Sequence, residues 1–303
     1  MSPSGADAVF GTPPGGPMPW GHETRKVQVT GKSTHIISLP KRWVDALGVQ
    51  AGDLFDILPR QDGTLLLRPR TSRLPVDEGT LRLDARMGHE RLLRRFVAAY
   101  VAGWTQVRLA GTDGLGLAEV HRLRRLTHSV IGPQVVDETA ETVTLRIQSD
   151  PGSFLPIAGL QRLAVLTEEV HHGPDHGAGS REEALKVHGL IMKQCRQALV
   201  DAAFADRIRV DPVDAAGHLG VADALAAVAR LPPTPHAALG HIRDALDAYV
   251  AVDMDEAERV LDAVGAPAEA AGPAAIMLDR AADMASAAVT RSLVQARRLR
   301  STS

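Results

Sequence analysis

The stretch that decides the N-terminal fold runs from Thr24 to Arg70 and reads TRKVQVTGKSTHIISLPKRWVDALGVQAGDLFDILPRQDGTLLLRPR. Val27 and Val29 alternate with Gln28 and Thr30, the period-two pattern of a half-buried strand. Gly31 breaks that pattern, and Ile37 and Leu39 around Ser38 predict a second strand. Pro40 stops it and predicts a helix from Lys41, because the missing N–H of a proline costs nothing in a first helical turn. Lys41–Leu47 then reads as two turns with Trp43 and Leu47 on one face, and Gly48 stands where a left-handed residue ends a helix. Leu54–Leu58 and Thr64–Arg68 predict two more strands, joined by a hairpin at Asp62–Gly63. So short a segment builds little core, and size alone predicts that it oligomerises.

The charge is uneven along the chain. Over all 303 residues the net charge is −2, yet residues 22–75 carry nine Lys/Arg against five Asp/Glu. Residues 76–150 balance at ten of each, and residues 151–303 carry fifteen against twenty. A basic module on a mildly acidic body predicts an anionic partner for the N-terminal part. Aromatic residues make up only 3 % of the chain, which disfavours a protein that stacks bases on aromatic platforms. The lone cysteine, Cys195, excludes an intrachain disulfide, and its neighbours Ile191, Met192 and Leu199 predict a buried structural thiol. Residues 1–21 lack Lys and Arg and hold no apolar run of signal-peptide type. No stretch approaches the ~18 apolar residues needed to span a bilayer. A cytoplasmic protein without membrane insertion is expected.

Outward from the opening stretch, the Pro- and Gly-rich residues 1–21 predict a disordered tail. Residues 22–72 form the first domain, and 71–79 read as a linker. Residues 80–150 predict a small α/β unit. In it Leu92, Phe96 and Tyr100 mark one helix, Val107–Ala110 a strand, Leu117–Ile131 a second helix, and Val143, Leu145 and Ile147 a final strand. Residues 154–300 show apolar residues at helical spacing, as in Leu160, Leu163 and Leu166 or Leu239, Ile242 and Leu246. Gly- or Pro-marked breaks at 173–180, 211–220, 231–236 and 265–273 predict a bundle of about five or six helices. Arg297, Arg298 and Arg300 read as a frayed basic tail. The predicted class is α+β multidomain.

The opening stretch resembles the AbrB/SpoVT/MazE family. The likeness rests on Arg25–Lys26–Val27–Gln28, the Gly31–Lys32–Ser33 turn, Ser38–Leu39–Pro40–Lys41, Trp43, Gly48–Val49 with Gly52–Asp53 just after, and the Asp62–Gly63 hairpin. It implies a swapped-hairpin β-barrel dimer that binds DNA through basic residues on one face. The rest of the chain resembles the archaeal-type PhoU-like regulators, notably at Tyr100–Trp104 and Ile131–Thr139. That resemblance implies a PhoU-like C-terminal bundle, a role in phosphate uptake, and phosphate-transport or signalling proteins as partners. It also implies helical carboxylate pairs that hold a divalent metal or iron. One pair is present, Asp279 and Asp283, while at Val228–Leu231 and the prolines after it the carboxylates are missing.

The candidate DNA contacts are Arg25, Lys26, Lys32, Lys41 and Arg42, five cations within eighteen positions. Phosphate contacts from such groups supply most of the affinity for duplex DNA. Asp279 and Asp283 lie one helical turn apart, where two like charges repel, so they hold either a cation or a basic neighbour such as Arg280. The HHGPDH run at 171–176 is a His/Asp cluster or a Gly/Pro loop, with the loop preferred. Asp253, Asp255 and Glu256 read as helix-capping carboxylates. GTDGLG at 111–116 reads as a tight strand-to-helix turn, lacking the GxGxxG spacing and a P-loop lysine. No nucleophile, acid–base or metalloprotease motif stands out, so a homodimeric DNA-binding regulator is expected and an enzyme is not. The alternatives are a PhoU-like adaptor that does not bind DNA and an antitoxin-like regulator.

Overall fold

The computed structural model describes residues 23–31, 33–59, 64–70, 80–84, 87–111, 114–148, 154–172, 177–233, 237–265 and 272–301. The chain divides into two compact units, Met1–Val76 and Asp77–Ser303. No helix among the described residues is long and apolar enough to cross a membrane.

In the first unit, β1 (Gln28–Thr30) pairs antiparallel with β2 (Thr34–Ile36), with Val29 opposite His35. Gly31 turns between them at φ +68°, which a side chain would resist. The second strand thus lies three residues before the alternation at Ile37–Leu39. The tight turn at Gly31 sets Thr34 opposite Thr30, and register decides the ladder. Helix α1 (Lys41–Ala46) comes next, and Pro40 sits just outside it as the N-cap. The Pro40 carbonyl accepts from the Trp43 and Val44 amides at 2.9 and 3.2 Å. Gly48, at φ +63°, ends the helix as its position predicts. Strands β3 (Phe55–Pro59) and β4 (Leu65–Pro69) pair antiparallel; the predicted Asp62–Gly63 turn between them lies outside the described residues.

The second unit opens with a four-stranded sheet of order β5-β6-β8-β7. Strand β5 (Thr80–Asp84) runs parallel to β6 (Gln106–Ala110), and β8 (Thr142–Ile147) is antiparallel to both β6 and β7 (Pro133–Glu138). Helix α2 (His89–Val101) crosses between the parallel pair, and α3 (Leu117–Arg125) comes after β6. Leu92, Phe96 and Tyr100 are fully buried with Val107, Leu109, Val143 and Leu145. Two strands, β5 and β7, are absent from the sequence-based prediction. Both are edge strands; β7 starts on a proline and carries an irregularity between Val135 and Asp137, which interrupts its alternation, whereas β5 does alternate, with Leu81 and Leu83 between Thr80, Arg82 and Asp84, a signal the sequence-based prediction passed over. The second helix is shorter than predicted. It stops at Arg125, a 3-10 turn takes Leu126–His128, and Gly132 at φ +94° releases the chain into β7.

Seven helices complete the chain among the described residues, rather than five or six. They are α4 (Pro156–His172), α5 (Gly177–Val200), α6 (Ala202–Arg207), α7 (Pro212–Ala229), α8 (Ala238–Ala251), α9 (Met254–Gly265) and α10 (Pro273–Ser301). The predicted break at 211–220 is a helix start instead. Asp211 accepts from the Val213 and Asp214 amides at 2.7 and 2.9 Å, and Pro212 occupies the first turn. Gly217 lies inside α7 because Tyr249 fills its place: a Cβ there would stand 2.5 Å from the Tyr249 hydroxyl. The breaks with weak sequence signals are made by the Asp201 cap and by Val252, left-handed at φ +58°. Asp253 accepts from the Glu256 amide at 3.0 Å, as a capping carboxylate should. The backbone of Arg297, Arg298 and Arg300 is helical as part of α10 and not a frayed tail.

Cys195 is buried, and burial pushes its thiol up to about 12. Near it a polar network crosses the bundle. His218 Nδ1 lies 2.7 Å from the Tyr249 hydroxyl, and Arg291 donates to Asp214 at 2.9 Å and to the Tyr249 carbonyl at 2.7 Å. Burial, with Arg291 alongside, lowers His218 from 6.5 to about 4. The unfolded imidazole therefore binds its proton near pH 6.5 and the folded one only near 4, so stability falls as pH drops through that window. We expect a loss of about 3 kcal/mol from this group between pH 7 and pH 4. Urea unfolding of wild type and His218→Gln across that range checks it; equal pH slopes would refute the role of His218.

Candidate nucleic-acid interface

The basic residues of the first unit are held by short-range geometry. Arg25 and Lys26 directly precede β1, and Lys41 and Arg42 form the first turn of α1. Glu23 joins the two places: its carboxylate meets Arg25 Nη2 and Arg42 Nη2, both at 2.5 Å. Residues seventeen positions apart thereby share one carboxylate and one side of the unit. Lys26 and Lys41 are exposed. The helix dipole disfavours cations in a first turn, so Lys41 and Arg42 do not stand there for the sake of the helix. Gln28, Thr30, Ser33, Thr34 and His35 are exposed on the hairpin beside them. Lys32 lies outside the described residues. Glu23 carried no signal in the sequence analysis, since only the fold shows that it reaches Arg42.

The other candidates are distributed through the second unit. Asp279 and Asp283 lie on α10, and Arg280 spans them, at 3.6 Å from Asp279 and 2.6 Å from Asp283. Both carboxylates are more than half exposed, at 66 and 54 %. One guanidinium thus already balances the pair that repulsion alone would drive apart. His171 and His172 are not in a loop but in the last turn of α4. His171 is fully buried and its Nε2 donates to the Val228 carbonyl at 3.0 Å, closing the end of α7. Arg181 adds bonds to the Ala229 and Leu231 carbonyls, both at 2.9 Å. Burial lowers the His171 pKa, as suits a neutral donor. Asp175 and His176 lie outside the described residues. No group of three or more His, Cys, Asp or Glu side chains suited to a metal gathers among the described residues. In the GTDGLG turn, Gly114 takes φ +87° and Gly111 is packed so that a Cβ would meet the Gly114 carbonyl at 2.6 Å.

Residues 28–75 match the family model for antidote-toxin recognition MazE, bacterial antitoxin. No curated protein and no solved structure matches the chain. Over residues 28–75 the N-terminal unit is therefore similar to a MazE/AbrB-type domain, a likeness that fits a DNA-binding regulator or an antitoxin-like role.

Glu23 competes with any external anion for Arg25 and Arg42. Glu23→Ala should therefore tighten binding to duplex DNA several-fold at low salt and steepen its salt dependence. Fluorescence anisotropy of the full-length protein measures both. Weakened binding would mean that Glu23 organises the arginines more than it occupies them.

Proposed function

We propose that this protein is a homodimeric DNA-binding transcriptional regulator that acts in the cytoplasm and has no catalytic role. The observation that carries the reading is the clustering of Arg25, Lys26, Lys41 and Arg42 on one small unit similar to a MazE/AbrB-type domain, with Lys32 between them in sequence. The dimer reading is supported by burial. In the first unit only Pro40 and Pro69 are buried among the described residues. Its large aliphatic side chains face water: Val29, Leu54, Ile57 and Leu65 are each more than 60 % exposed. Ile57 and Leu67 stand opposite each other across β3 and β4, both exposed. A second copy interleaved as a swapped-hairpin barrel would cover them, each side chain contributing ~1.5–3 kcal/mol.

The bundle of the second unit would then receive a signal or a protein partner. Its PhoU-like assignment, the link to phosphate uptake, and a divalent metal or iron at Asp279 and Asp283 rest on the sequence resemblance alone. An antitoxin-like role is the second reading, favoured by the family model over residues 28–75.

Two measurements test the proposal. Full-length protein should sediment as a dimer, and Ile57→Asp with Leu67→Asp should shift it to monomer. A wild-type monomer would end the barrel reading. If each protomer neutralises about three phosphates, log affinity against log salt should fall with a slope of roughly −5. Lys26→Ala with Lys41→Ala should flatten that slope and weaken all sequences alike, as phosphate contacts do. An unchanged affinity in the double variant would remove the DNA-binding reading.

A further inference from the structure

Helices α7 and α10 lie side by side within the bundle, and Arg291 of α10 bonds to Asp214 at the start of α7. A groove farther along the same pair is lined by Arg230, at the end of α7, and by Arg280, eleven residues before Arg291. The two helices therefore run antiparallel, with Arg230 and Arg280 toward one end of the groove and Gly220 and Ala287 toward the other. Its volume is about 510 Å³, within the range of small-ligand cavities. Gly220, Ala224 and Ala227 recur at helical spacing and put one small-residue face of α7 on the floor. Tyr249 fills the place of Gly217, one turn earlier, whereas a Cβ at Gly220 would meet nothing within 4 Å.

The floor gives room, and the charged walls give the chemistry. Asp223 and Arg230 stand on α7, and Arg280 and Asp283 on α10. Asp223 Oδ1 lies 2.8 Å from His188 Nε2, and Asp283 Oδ2 accepts from Arg280 at 2.6 Å. The second oxygen of each carboxylate takes no bond among the described residues. Arg230 is exposed and makes no hydrogen bond or ion pair among the described residues. Arg280 Nε is buried without an acceptor. Unmet donors and unmet acceptors thus line one groove, two cations against two anions. A bare anion would meet both aspartates there, and a bare cation both arginines. A compact ligand that carries both charges satisfies the donors and the acceptors together.

We propose that the groove between α7 and α10 binds a small zwitterion of the free amino-acid class, its carboxylate at Arg230 and Arg280, its ammonium at Asp223 and Asp283, and its side chain over Gly220. From Gly220 to Arg230 the helix rises about 15 Å, which leaves length for a side chain beyond the two charged groups. The inference goes beyond the DNA-binding reading, since the groove lies wholly within the second unit and binding there needs no duplex.

The test uses the full-length protein without DNA and measures each of the common L-amino acids by isothermal titration and ligand-detected NMR. At least one should bind with a Kd below about 1 mM. The same molecule without its amine, or without its carboxylate, keeps the side chain and one charge, and should bind at least about tenfold more weakly. Arg230→Gln and Asp223→Asn should each weaken the amino acid by a similar factor, and Gly220→Leu should abolish binding by filling the floor. Arg196→Gln, an exposed change outside the groove, should leave the Kd as in wild type. Melting curves like that of wild type show that the variants are folded, as expected for Arg230 and Asp223, which are exposed. The inference falls if no amino acid binds, if the acid or the amine alone binds as tightly, or if neither groove variant moves the Kd. Any of these leaves the DNA-binding reading where it was, and a wild type that binds no duplex leaves the groove and its ligand untouched.

Discussion

The constraint on which the molecule turns is the unequal supply of core. In the second unit, one cluster of aliphatic and aromatic side chains runs through the helical bundle and another joins the sheet to α2 and α3. In the first unit no large apolar side chain is buried among the described residues, although Val, Ile and Leu are plentiful there. Burying apolar surface is the main favourable term in folding. A segment that leaves its aliphatic residues in water borrows its stability from outside itself. Everything proposed for the first unit, from strand interleaving to a two-fold arrangement of cations, stems from that shortfall.

Charge shows a parallel division. Six of the bundle's arginines are held internally, five on carboxylates and Arg181 on helix-terminal carbonyls at the end of α7. Such pairs near the surface add little stability. In the first unit Lys26 and Lys41 stay exposed beside the arginines that Glu23 holds. Like charges are tolerated on a folded surface only at some cost, so their persistence on rigid elements marks where an anion has something to gain.

Buried polar groups in the bundle serve the helix ends and seams. His171 satisfies a carbonyl at the end of α7, and His218, Tyr249, Arg291 and Asp214 form one connected set. Lys193 on α5 is buried under the Tyr100 ring of α2, 4.8 Å from its centroid, and burial lowers its pKa to about 8. Unsatisfied groups at these depths would each cost about 1–3 kcal/mol, so such contacts fix which helices meet.

Sequence alone was enough for local features set by chain chemistry. Pro40 before a helix, Gly48 after it, the buried Cys195, the Leu92–Phe96–Tyr100 stripe and the Asp253 cap are readable because each depends on residues a turn or less away. Tertiary structure decided whatever depended on a distant partner. The register across Gly31 moved β2 ahead of its apolar alternation. Edge strand β7, with its proline start and irregular pairing, became a strand only by pairing with β8. Gly217 looked like a helix break until Tyr249, 32 residues later, filled its missing side chain. His171 read as a loop histidine until Val228 supplied its acceptor. Arg25 and Arg42 met through Glu23, a residue with no pattern of its own. The physical reason is the same throughout: backbone preference and capping act within a few residues, whereas burial, register and charge pairing are fixed by whichever element packs alongside.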